Sequence, residues 1–198
     1  MPASPQRPNL PGPGLWLWRH PRPIGAAGRC IGQTDLPVPA RRAKRLAHRI
    51  RHTARRESLP WVVWTSPLRR CADVGRWLAR WGWAHHIDAR LLELDFGHWD
   101  GQHWANIALA EVAGVAGVAM WEADFAQHAP GGRESLATLA ARCQTFIAER
   151  AGHRQPLLLV SHAGWINASA VADASRLAAT DWPAAPVYGS LTRRPAAP

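Results

Sequence analysis

The 198-residue chain has little of what staples a fold covalently. Its three cysteines, Cys30, Cys71 and Cys143, are widely spread with no CxxC among them. An odd number at such spacing predicts neither a disulfide framework nor a zinc site. Acidic residues are also scarce, 14 against 24 Lys and Arg, which leaves a net charge of +10. The excess is almost wholly arginine, so the chain should attract anions, with phosphorylated small molecules and nucleic acids both eligible. No apolar run approaches the roughly 20 residues that a membrane span needs. Met1 to Gly14 holds five prolines and no apolar core of the signal-peptide kind. This predicts a disordered Pro-rich tail over 1–14, one folded domain over 15–198, and a soluble cytoplasmic protein.

What the chain does have is 47% hydrophobic residues and twelve tryptophans, several at periodic apolar positions that read as core filling. Leu15-Trp16-Leu17-Trp18 is a continuous apolar run, the pattern of a strand covered on both faces, and it exits into Arg19-His20-Pro21. Trp61 to Trp64 and Leu157 to Val160 read the same way. A glycine-rich loop of about 18 residues follows the first strand to Pro39, and loops that long in compact domains tend to be functional. A helix over 40–57 puts Leu46, Ile50 and Ala54 on one face and arginines around the rest. Ser66 and Pro67 read as the start of a second helix, with Arg70 in its first turn.

Residues 103–127 read as helix, weakened by Gly114 and Gly117. Pro130-Gly131-Gly132 breaks the chain before a helix from Glu134 to Arg150. A short helix through Ala170 follows the third strand, and Trp182 to Thr192 reads as an edge strand and turn. Strands alternating with helices predict an α/β fold, a three-layer α/β/α sandwich on a mainly parallel sheet. Open sheets of this kind carry their chemistry at the carboxyl ends of the strands. Arg19-His20, Arg70 and His162 should therefore share one edge.

Two histidines, two arginines and a glutamate without metal-ligand spacing suit phosphoryl transfer through a histidine. A neutral imidazole attacks phosphorus directly and splits one displacement into two. Guanidinium forks and a second imidazole suit the charge spread over the transferring group. A carboxylic acid can give the leaving alkoxide its proton. The scheme calls for no metal and no cofactor.

Four segments then resemble one family, the histidine phosphatase or phosphoglycerate mutase-like superfamily. They are Arg19-His20-Pro21, Ser66-Pro67-Leu68-Arg69-Arg70, Glu93 to Gly101, and Ser161-His162-Ala163-Gly164, in the family's order. The resemblance covers residues 15–192 and implies a phosphoglycerate mutase-like fold. It implies His20 as nucleophile, Arg19, Arg70 and His162 as the phosphate pocket, and Glu93 as proton donor. Further phosphate or substrate contacts are expected from Arg22, Gly32, Gln33 and Thr34. Cys30 to Pro37, Glu93 to Gly97 and Pro130 to Ser135 look most like α-ribazole phosphatases of cobalamin biosynthesis. Broad-specificity phosphatases and phosphoglycerate mutases are the alternatives, although the mutases carry longer insertions between the second and third motifs.

Three positions depart from the family pattern. Pro21 and Ala163 stand where it has glycine, and Ala26 where it often has asparagine. Pro21 removes a backbone donor, which leaves a catalytically impaired member open, and Arg22 or Arg29 are the candidates to compensate. Asp100 reads as a loop-fixing acid. His48 and His52, and the pair His85-His86, lack partner acids at ligand spacing and read as ordinary histidines. The arginine-rich helix raises a nucleic-acid-binding module as a rival, but no aromatic residues interleave with its arginines, so a solvated basic face is the reading. The expected partner is a phosphorylated small molecule, with no membrane; a homo-oligomer is compatible with the sequence.

Overall fold

The computed structural model of the chain describes residues 14–112, 117–150, 155–175 and 177–195. The expected tail lies outside them except for Gly14, which opens the first strand. In chain order the elements are β1 (Gly14–Arg19), α1 (Ala40–Arg56), β2 (Val62–Thr65), α2 (Arg69–Ala79), β3 (Ala84–Ile87), α3 (Trp104–Val112), α4 (Val118–Ala123), α5 (Leu136–Ala148), β4 (Leu157–Ser161), α6 (Ala163–Ala168) and β5 (Leu191–Pro195). The sheet order is β3-β2-β4-β1-β5, with β5 alone antiparallel.

The sheet has a core on each face, and β1 shows why. Trp16 and Trp18 point into the layer made by α1 and α2, packing with Leu46, Ile50, Val74 and Leu78. Leu15 and Leu17 alternate to the other face, against Leu139, Phe146 and Trp165 of α5 and α6. Both sets leave water, as a strand between two helical layers requires. This is the expected three-layer α/β/α sandwich.

Most element ends shift by one or two residues from the sequence reading, and four larger differences have local reasons. β3 went unread because Ala84-His85-His86-Ile87 is a mostly exposed edge with no apolar run. α2 starts at Arg69 rather than at Pro67, with Leu68 at its cap and the Ser66 hydroxyl only accepting from the Leu68 amide at 3.3 Å. Residues 103–127 hold two helices, α3 and α4; Gly114 lies outside the described residues, and Gly117 is the cap of α4. The last strand is Leu191–Pro195, not Trp182 to Thr192, since Pro183 and Pro186 cannot donate to a ladder.

Candidate active site

β4 lies between β1 and β2 and runs parallel to both, with Arg19 opposite Ser161 in register. Their carboxyl ends therefore meet, and the residues that follow each strand converge there. His20 is held by its own amide, which donates to the Ser161 carbonyl at 2.9 Å, and its ring lies 5.0 Å from that of His162, centroid to centroid. Both rings are buried.

The hydrogen bonds assign the two tautomers. His20 Nδ1 lies 2.8 Å from the Pro21 carbonyl oxygen. A carbonyl can only accept, so Nδ1 carries the proton and Nε2 keeps its lone pair. His162 is the opposite case: its Nδ1 faces Arg70 Nε at 3.1 Å, and a guanidinium can only donate. His162 thus carries its proton on Nε2. Burial first, and then the charge of Arg70, push both imidazoles well below the ordinary histidine range. Nε2 of His20 carries the lone pair, and the Nε2 proton of His162 faces the weakly accepting Cys71 Sγ at 3.6 Å.

Arg70 is itself almost wholly buried and is fixed by backbone. Nη1 donates to the Thr34 carbonyl at 2.7 Å and Nη2 to that of Gly32. With Nε on His162, three of its five N–H groups are committed and two remain for an anion. The loop that holds Arg70 is held in turn by Asp100. That carboxylate accepts from the amides of Gly32, Gln33 and Thr34 and from the Thr34 hydroxyl, the last at 2.6 Å. Gly32 suits this junction because a Cβ there would collide with the Leu94 carbonyl.

Arg19 packs its guanidinium 3.8 Å above the Tyr188 ring and donates from Nη1 to the Pro186 carbonyl at 2.6 Å. Its Nε is buried with no hydrogen-bond partner among the described residues, a donor left open beside the cavity. Glu93 enters from the segment between β3 and α3. One carboxylate oxygen accepts from the Leu94 and Trp165 amides at 3.1 and 3.2 Å, and the other from Gly164 at 3.0 Å. A Cβ on Gly164 would strike Glu93 Oε1, so glycine at 164 makes this seat.

The Glu93 segment is clamped from α5. Arg142 pairs with Glu134 through two bonds of 2.9 Å and donates to the carbonyls of Arg90, Leu92 and Glu93 at 2.8, 2.7 and 3.1 Å. Glu134 also accepts from the Asp95 amide at 3.0 Å. Arg19 and Glu93 also border a cavity of about 380 Å³, lined further by Arg29 and by the rings of Phe96, Trp104, Trp121, Trp182 and Tyr188.

His20, Arg19, Arg70, His162 and Glu93 are thus brought together. Gly32, Gln33 and Thr34 stand beside them, but their three amides are spent on Asp100 and the carbonyls of Gly32 and Thr34 on Arg70. Arg22 stands apart: it lines a separate cleft that shares only Tyr188 with this cavity. Arg69 is exposed, its amide donating to Asp35 at 2.7 Å. Sequence reasoning missed Tyr188, Trp104, Trp182, Arg142 and the clamping role of Glu134. Arg142 is the one charged residue of α5, and that isolation was the available signal. Among the described residues no group of three or more His, Cys, Asp or Glu side chains is arranged to hold a metal ion.

The fold is an α/β sandwich whose strand ends gather two buried histidines, the buried Arg70 and the half-buried Arg19. The family model of the histidine phosphatase superfamily (branch 1) matches residues 15–192, and the chain belongs to that superfamily. Comparison with curated proteins gives no match. Among solved structures, mycobacterial hydrolase 2 is 27% identical with a TM-score of 0.74, over 92% of this chain and 81% of that one. Mycobacterial glucosyl-3-phosphoglycerate phosphatase is 27% identical at 0.72, over 91% and 89%. The α-ribazole phosphatase of Shigella flexneri is 27% identical at 0.63, over 78% and 76%. The protein is a phosphatase of this superfamily. No helix among the described residues is long and apolar enough to cross a membrane.

Proposed function

We propose that the protein hydrolyses phosphomonoesters through a phosphohistidine on His20, without a metal ion, and that its substrate is α-ribazole 5′-phosphate. The observation that carries the mechanism is the His20 Nδ1 bond to the Pro21 carbonyl, which leaves Nε2 as the attacking lone pair. Pro21 lacks the amide of the family glycine but keeps the carbonyl this bond needs.

His20 Nε2 forms a bond to phosphorus as the bond from phosphorus to the ester oxygen breaks. Arg70, Arg19 and the Nε2 proton of His162 hold the equatorial oxygens, where charge is greatest in the transition state. Glu93 gives its proton to the leaving oxygen, then takes one from the water that attacks the phosphohistidine. The products are the alcohol and orthophosphate, and His20 is regenerated. Gly32, Gln33 and Thr34 serve substrate indirectly, as the frame of Arg70.

The aromatic cavity wall supports a leaving group with a flat apolar ring, as the benzimidazole of α-ribazole has. Arg29 in the same wall favours a second reading, a leaving group bearing a carboxylate, of the phosphoglycerate type. Phosphate release from α-ribazole phosphate, 3-phosphoglycerate and glucosyl-3-phosphoglycerate decides between them. Wild type should turn over the first with the highest kcat/KM, and His20→Ala should release phosphate from none. Activity of His20→Ala equal to wild type ends the mechanism; a preference for phosphoglycerates ends only the substrate reading.

A further inference from the structure

α1 is the most basic element of the chain and carries no acid. Arg42, Arg45 and Arg49 sit three and four residues apart, which sets their side chains on one helix face. Arg22 meets them from the loop after His20, where Arg42 Nη1 donates to its carbonyl at 2.9 Å. Together the four line a cleft of about 260 Å³, with Pro21, Leu46, Tyr188 and Gly189. None of the four pairs with a carboxylate among the described residues. The ion pairs at the end of α1 run instead from Arg56 to Glu57, which Arg193 also engages.

All four side chains are exposed, and their charges share one concavity with no carboxylate partner among the described residues. Arg42, Arg45 and Arg49 are exposed, as the solvated-face reading expects, and they line one cleft with Arg22. Guanidinium forks match phosphate oxygens in pairs. From Arg42 to Arg49 the helix rises about 10 Å, too far for one orthophosphate to bridge and suited to a chain of linked phosphates.

We propose that this cleft is a second anion site, separate from the active site, whose ligand is a linked oligophosphate. It stands independently of the role given to His20. The test is calorimetric titration of the full chain with inorganic triphosphate, in excess orthovanadate to occupy the catalytic pocket. Wild type should bind saturably, and Arg45→Glu/Arg49→Glu should bind at least tenfold more weakly with unchanged melting temperature and unchanged phosphatase turnover. Arg55→Glu/Arg56→Glu, the same charge change elsewhere on α1, should stay within twofold of wild type. ATP should bind like inorganic triphosphate, which ties recognition to the phosphate chain. Equal losses in the two double variants, binding retained by Arg45→Glu/Arg49→Glu, or ATP binding where triphosphate does not would each overturn the proposal. So would a short DNA duplex displacing triphosphate at equal phosphate concentration, which would make α1 a nucleic-acid surface.

Discussion

Arg70 Nε donates to His162 Nδ1 at 3.1 Å, so the residue we propose as the phosphate anchor also sets the tautomer of the neighbouring histidine. Losing the fork therefore removes two things at once. Arg70→Lys keeps the charge but cannot serve two carbonyls, an imidazole and an anion together. We expect kcat/KM to fall by about 10²–10³-fold, the size of one lost transition-state donor. Arg69→Ala, next door but exposed, should stay within twofold; equal losses would undo the choice of Arg70.

Asp100 acts at one remove, through Gly32–Thr34 and Arg70. Asp100→Ala frees three amides and lets Arg70 drift, and misplacement of about 1 Å can cost about 10²-fold in rate. The expected signature is a fall in kcat together with weaker inhibition by orthophosphate. Loss of thermal stability with catalysis per folded molecule intact would leave Asp100 a structural residue only.

Gly164→Ala pushes a methyl group against Glu93 Oε1. If Glu93 protonates the leaving group, the variant should lose about 10²-fold on alkyl phosphates and much less on p-nitrophenyl phosphate, whose leaving group needs no proton. Uniform loss across both substrates would argue against that role.

The pH behaviour follows from two buried neutral imidazoles. Both sit well below their unfolded value near 6.5, so below that pH the unfolded chain binds more protons than the folded one. Stability should be level above pH 6.5 and fall as pH drops beneath it, by up to about 1.4 kcal/mol per pH unit for each histidine. Denaturant midpoints from pH 8 to pH 5 measure this, and His162→Gln should reduce the slope. If His20 is the nucleophile, its depressed titration means that kcat/KM should not show a loss centred at 6.5.

Arg142→Ala strands Glu134 and removes the donor from three carbonyls. Breaking such a largely buried pair should cost about 3–5 kcal/mol of unfolding free energy, read from urea titrations. A cost below about 1 kcal/mol would class the pair with surface ion pairs.

Much of the fold was legible because β1, β2 and β4 are covered on both faces and must be apolar throughout. β3 was not, since an edge strand ending the sheet needs no such run and here carries His85-His86. In the site, His20, Arg70, Glu93 and His162 follow strand ends or sit in a compact motif, and local spacing reveals them. Asp100 was readable only as a loop-fixing acid; that it gathers three consecutive amides emerges from a contact across 66 to 68 residues of chain. Arg142 and Tyr188 likewise act through tertiary approach, which no local pattern encodes. Arg22 shows the converse: two residues from His20 in sequence, it faces a different cleft.

The central claim is that His20 Nε2 takes the phosphoryl group. Rapid quenching of wild type during turnover, followed by peptide mass spectrometry under mildly alkaline conditions that preserve phosphohistidine, tests it most directly. One phosphoryl group is expected on the peptide containing His20, lost on acid treatment and absent from His20→Ala. Turnover at the wild-type rate by His20→Ala, or the phosphoryl group found on any other residue, would contradict it.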